Sequence, residues 1–152
     1  MNDTGINSGY MILQYTTAAL ASENKGLCFP SSADSIPTSL GQEDHVSMGS
    51  IGGRKALQVI GNIEKILAIE LLTAAQAFEF RKPLKSGVYL DEVHNAVREQ
   101  VAFASKDRVF ADDIEKGIAM IKDQTILKVI DRVQAEHDIS LKTKHSEEFE
   151  NY

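Results

Sequence analysis

The chain has 152 residues, 43% of them hydrophobic, which suits one domain with a buried core. Its formal charge of −6, from 16 basic and 22 acidic side chains, leaves no cationic excess to displace counterions, so nucleic acid is not an expected partner. Cys28 is the single cysteine, which excludes an internal disulfide framework and a multi-cysteine zinc site. No basic-then-apolar leader opens the chain and no run of about 18 apolar residues occurs, so no membrane span is expected and the cytoplasm is the default compartment.

Residues 8 to 25, SGYMILQYTTAALASENK, are predicted as a helix with Ser8 as N-cap and Gly26 as the C-terminal glycine. Met11, Leu13, Ala18, Ala19 and Leu20 leave it few wholly polar sides, which suggests a helix buried on most faces. LCFPSSADSIPTSLG follows as a long loop, a kind of segment that often carries function. Residues 43 to 80 read as one long helix, loosened at Gly49, Gly52 and Gly53. Its apolar positions are Val59, Ile60, Ile63, Leu67, Leu71, Ala74, Ala75 and Phe78. Between Ile66 and Phe80 only Glu70, Thr73, Gln76 and Glu79 interrupt the apolar residues. That segment is expected inside a bundle or a subunit interface. Arg81, Lys82 and Pro83 end it.

A third helix, 87 to 105, carries the stripe Leu90, Val93, Val97, Val101 and Ala104. Asp112 and Glu115 have capping-box spacing for a short fourth helix with Ile114, Ile118 and Ile121 on one face. A fifth, 125 to 137, rests on Ile126, Leu127, Ile130 and Val133. Residues 138 to 152 lack periodicity and are expected to form a frayed, charged tail. Mixed charge in the second half reads as solvated helix faces. There is no repeat and no convincing strand. The class is all-α, with residues 1 to 137 as the helical unit.

SLGQEDHVSMGSIGGRK, residues 39 to 55, admits three readings: a metal or catalytic cluster, a phosphate loop, or a helix entrance. The phosphate loop lacks the Walker order of glycines, the Lys-Ser or Lys-Thr pair and the preceding strand. Glu43, Asp44 and His45 are consecutive, so on a helix they point about 100° apart and cannot chelate one ion; no metal is expected. The plain reading is an entrance, in which Ser39 and Gln42 form a capping box and the acids suit the helix dipole.

A resemblance adds to this. NSGYMILQYTTAALASENK, DSIPTS, QEDHVSMG and GNIEKILAIELLTAAQAFEFRK, in that order and spacing, resemble the C-terminal part of the histidine ammonia-lyases, and the similarity runs on through DRVFADDIEK. It covers about residues 5 to 125. QEDHVSMG is its most specific block, because phenylalanine and tyrosine ammonia-lyases carry an Asn-Gln-Asp type sequence there. The resemblance implies a long-helix fold shared with the fumarase and aspartase group, and conversion of L-histidine to urocanate and ammonia. It implies homotetramers whose sites combine several subunits, and a methylidene-imidazolone electrophile made from an Ala-Ser-Gly tripeptide. No Ala-Ser-Gly occurs in this sequence. The expectation is therefore a C-terminal fragment, without the electrophile or the tyrosine base, inactive alone.

By the same resemblance, Glu43 matches the family's active-site glutamate. A carboxylate there can hydrogen-bond an imidazole N–H or pair with an ammonium. Met11 matches a position lining the substrate side-chain pocket, and Gln42 is placed to support Glu43. Core packing is the commoner fate of a methionine such as Met11. His45, His94, His137 and His145 are assigned no chemistry; His94 is expected to cap an apolar stripe. Two function classes follow. One is a lyase segment, catalytic only within the complete enzyme or beside a separate N-terminal lyase half. The other is a noncatalytic helical remnant. Either is expected to self-associate as a dimer or tetramer.

Overall fold

The computed structural model describes residues 5–33, 36–43 and 45–138. These form five α-helices and one short 3-10 turn, with no strand among the described residues. The helices are α1 (Met11–Leu27), α2 (Gly49–Glu79), α3 (Val88–Gln100), α4 (Phe110–Lys122) and α5 (Thr125–His137), and the turn is Ser39–Gly41. The tail expected from 138 onward lies, apart from Asp138, outside the described residues.

The long helix α2 organises the rest. It packs against α1 on one side and α4 on another, with α3 against its C-terminal half and α5 against α3 and α4. Leu72 and Ala75 of α2, Val97 of α3, Val101 just beyond it and Met120 of α4 form one buried cluster. Leu13 of α1, Ile69 of α2, Ala104 and Phe110 form a second. Tyr10 and Ile114 pack against both clusters and join them. Gly117 of α4 lets the two helices approach closely: a Cβ there would stand 3.0 Å from the Ala68 Cβ.

Helix α1 runs antiparallel to α2, and it lacks the expected burial on most faces: Leu13 is buried, while Met11, Ile12 and Tyr15 are exposed. Asn62 Nδ2 donates to Glu23 Oε2 at 2.8 Å and Asn24 Oδ1 at 2.9 Å, near the end of α1. Lys55 Nζ donates to the Phe29 carbonyl further out. Tyr10, Gln14 and Thr17, at the start of α1, face Ile66, Ile69, Thr73 and Ala77 instead.

Helix ends differ from several sequence expectations. Ser8 does not cap α1. Tyr10 occupies that position, and the Ser8 backbone N–H donates to Asp107 instead. Gly26 lies inside α1, which closes at Cys28 in right-handed backbone, so no left-handed glycine is needed. Helix α2 begins at Gly49, after Met48 in left-handed backbone, and not at residue 43. Ser39 and Gln42 belong to the separate 3-10 turn, so the expected capping box does not form. Nor does the Asp112–Glu115 box: α4 starts earlier, at Phe110, and both residues lie within it. The third helix is shorter than expected, because Val101 is extended and Ala104 follows in a loop. Pro83 and its neighbours do end the α2 region, and α5 spans the residues expected of it.

The apolar stripe read from α2 reaches the core only in part: of its residues Ala75 is buried and Leu71 packs against a core cluster. Ala68, Ile69, Leu72, Ala75 and Gln76 are buried, whereas Ile60, Ile63 and Leu67 are exposed. A helix apolar over most of its circumference gives periodicity two acceptable answers.

Candidate functional site

Gln42 and Glu43 sit together in a tight reversal after the loop. The Thr38 N–H donates to the Glu43 carbonyl at 2.9 Å, and the Glu43 N–H returns to the Thr38 carbonyl at 3.2 Å. Between them the Gly41 and Gln42 amides bond back to Thr38 and Ser39. Ser39 and Leu40 both take left-handed backbone, at φ 54° and 58°. Such conformations cost of order 1–3 kcal/mol each in non-glycine residues and gather at functional sites. Leu40 is fully exposed and Glu43 is exposed beside it, so this chain alone does not enclose the carboxylate.

Met11 opens α1 and is 53% exposed. It is therefore not the core methionine that composition favours; Met120 has that role. Gln42 and Glu43 are placed as neighbours in that turn, and Met11 stands at the start of α1. A groove of about 540 Å³ between α1 and α2 is lined by Tyr10, Gln14, Thr17, Ile66, Glu70 and Thr73 among others, and by none of these three residues. Among the described residues no group of three or more His, Cys, Asp or Glu side chains is placed to hold a metal.

Several polar residues build a frame between the C-terminal half of α2, α3 and the loop after α3. Gln76 interrupts the apolar run of α2 and is buried. Its Nε2 donates to the Ala104 carbonyl at 2.9 Å and its Oε1 accepts the Ala104 N–H at 3.1 Å. Arg98 donates to the Val101 carbonyl and to Glu79 Oε1, each at 3.0 Å. Lys82, at 2.6 Å, hydrogen-bonds Glu79 and holds its carboxyl below the usual range, with His94 and Arg98 adding to this and burial opposing it. His94 is buried against the Phe78 ring, its Nε2 3.0 Å from Glu79 Oε1 but off the line of a hydrogen bond. It is a core histidine and not a cap on the stripe. Tyr10 meets Phe110 edge-on at 5.2 Å. Its hydroxyl is buried with no hydrogen-bond partner among the described residues, and burial, then Asp113, pushes its pKa up. The sequence signals for this frame were the polar interruptions at Gln76 and Glu79.

The family profile described as aromatic amino acid lyase matches residues 1–99. Histidine ammonia-lyase of Natranaerobius thermophilus is 48% identical over 136 residues, covering 90% of this chain and 27% of that protein. The human histidine ammonia-lyase is 49% identical over 137 residues, covering 88% and 21%. The crystal structure of histidine ammonia-lyase from Trypanosoma cruzi superposes with a TM-score of 0.82 at 42% identity, over 87% of this chain and 26% of that one. A tyrosine aminomutase from Streptomyces globisporus gives 0.81 at 37% identity, over 93% and 26%. The chain spans about a quarter of the length of these relatives. With the helical order, the Gln42–Glu43 turn and these similarities together, the chain belongs to the aromatic amino acid lyase family, among the histidine ammonia-lyases and their relatives.

Proposed function

We propose that this chain supplies the segment of a histidine ammonia-lyase that presents Glu43 to the substrate, for elimination of ammonia from L-histidine to give urocanate. The reading rests on near 50% identity to histidine ammonia-lyases from a bacterium and from human over most of the chain. An exposed carboxylate on a strained turn suits it, because that group is free to meet a ligand held by another segment. Glu43 then binds the imidazole N–H or the ammonium, Gln42 supports it, and Met11 lines the side-chain pocket. Met11 and Glu43 are both exposed in this chain, so the reading needs them to join groups from other segments or subunits.

The electrophile expected of the family forms from Ala-Ser-Gly, and these 152 residues contain none. The residues present do not fit that group, and it must come from elsewhere. Purified chain alone is accordingly expected to make no urocanate. Adding an N-terminal lyase half is expected to restore absorbance from urocanate, and Glu43→Gln to lower that turnover strongly with helical circular dichroism intact. Unchanged turnover in the variant would return Glu43 to a purely local role.

A second reading, a noncatalytic helical oligomer, is favoured by the exposed apolar residues Leu57, Ile60, Ile63 and Leu67 on α2. Each would gain about 1.5–3 kcal/mol on full burial, against roughly 4–15 kcal/mol for association. Both readings take the chain as a dimer or tetramer in the cytoplasm. No helix among the described residues is long and apolar enough to cross a membrane. Reconstitution that yields oligomer but no urocanate would favour the second.

A further inference from the structure

One contact ties the start of α1 to a part of the chain about a hundred residues away. Asp107 lies in the loop between α3 and α4. Its Oδ2 accepts the Ser8 N–H and its Oδ1 the Gly9 N–H, each at 2.8 Å. Its own N–H donates to Asn7 Oδ1 at 2.9 Å. Two successive amides form a fork that a carboxylate fills with both oxygens. Gly9 is buried and takes φ 61°, a conformation open to glycine at little cost. The chain then turns Tyr10 into the core, and the Tyr10 carbonyl accepts the Leu13 and Gln14 amides of the first helical turn. Met11 leaves that turn toward solvent.

The loop that carries Asp107 is itself held fast. Gln76 pairs with both backbone groups of Ala104. Arg98 holds the Val101 carbonyl. Arg108 donates to the Ala102 and Phe103 carbonyls and pairs with the buried Asp113 at 2.8 Å. Ile6, in the segment before α1, is exposed, while Asn7, Ser8 and Gly9 all bond to Asp107. This held loop presents Asp107 to the segment before α1.

We propose that Asp107 is a positioning residue of the substrate pocket: it fixes Ser8 and Gly9, and through them the place of Met11. The substrate half of this rests on the lyase reading of Met11; the positional half does not. The test uses methyl-labelled methionine in the full chain, where Met11 reports on the pocket and Met120 on the core. Asp107→Ala is expected to shift the Met11 methyl resonance and leave Met120 in place. Amide exchange at Ser8, Gly9, Leu13 and Gln14 should quicken about tenfold. Asp107→Asn, which keeps one acceptor oxygen, should give a smaller shift. An unmoved Met11, or Met11 and Met120 moving together, would overturn the positional claim.

In lyase reconstituted with an N-terminal half, Asp107→Ala is expected to raise KM for histidine about tenfold with kcat within about twofold, and Asp107→Asn to recover part of it. Unchanged KM beside a displaced Met11 would overturn the substrate half alone. Absence of urocanate with Asp107 intact would overturn the lyase reading, and the substrate half with it, while the methyl spectra decide the rest.

Discussion

The two faces of α2 are made of similar residues and have opposite fates. On one, Ala68, Ile69, Leu72 and Ala75 meet α1, α3 and α4, and Leu72 is wholly buried. On the other, Ile60, Ile63 and Leu67 face outward, Leu67 at 45% exposure. Hydrophobicity does not separate them. What separates them is shape and the polar residues interleaved. The inner face has Ala68 where Gly117 crosses and Gln76 where a backbone amide and carbonyl need partners. The outer face offers larger side chains and no such fittings.

The sharpest way to break this contrast is truncation. Leu72→Ala should cost about 2–5 kcal/mol in urea denaturation, through lost burial and the cavity left behind. An equal loss from Leu67→Ala, measured at concentrations where the chain is dissociated, would erase the distinction. Next in size is the crossing point. Gly117→Val should cost about 1–3 kcal/mol, because α4 must move off the Ala68 backbone. No change in the urea midpoint would show that the two helices are not in close contact there.

Acid probes the polar edge of the inner face. The Glu79 carboxyl titrates below its unfolded value near about 4.3. Its stabilising effect is therefore complete above that value and is lost as pH falls through the lower folded one. The thermal midpoint should drop across that acid window, and Glu79→Gln should flatten that part of the profile. A variant that falls as steeply as the parent would place the acid sensitivity elsewhere.

Smaller still is the effect expected at Tyr10. Removing a buried hydroxyl without a partner among the described residues, as Tyr10→Phe does, should raise stability by roughly 1 kcal/mol. A loss of that size would mean that the hydroxyl has a partner after all. The outer face gives the smallest folding effect and the clearest assembly effect. Leu67→Glu should alter chain stability by less than about 0.5 kcal/mol, as exposed substitutions do. It should still lower the mass seen by light scattering. Leu71 is a poorer probe, because it packs against the buried cluster and a charge there would damage the fold as well. A folded 16.7 kDa particle from the parent chain at tens of micromolar would remove the case for assembly altogether.

By itself the sequence determined the all-α class, the existence of all five helices, the loop after α1 and, through QEDHVSMG, the family. These follow from periodicity, proline and local composition, which act within a few residues of chain. It did not determine where α2 begins. Gly49 starts the helix after a left-handed Met48, a backbone state that composition does not announce. Nor did it place the caps, because the Ser8 amide is satisfied by Asp107, 99 residues away, and no local rule reaches so far. Which stripe of α2 faces the core was also beyond it. An apolar circumference satisfies helical periodicity in several registers, and only the close crossing at Gly117 and the demand of the Ala104 backbone for Gln76 select one. Glu43 was legible as a residue type in a motif. Its exposure on a turn was not, because the left-handed Ser39 and Leu40 and the backbone pairing of Thr38 with Glu43 shape that turn, and local composition does not announce them.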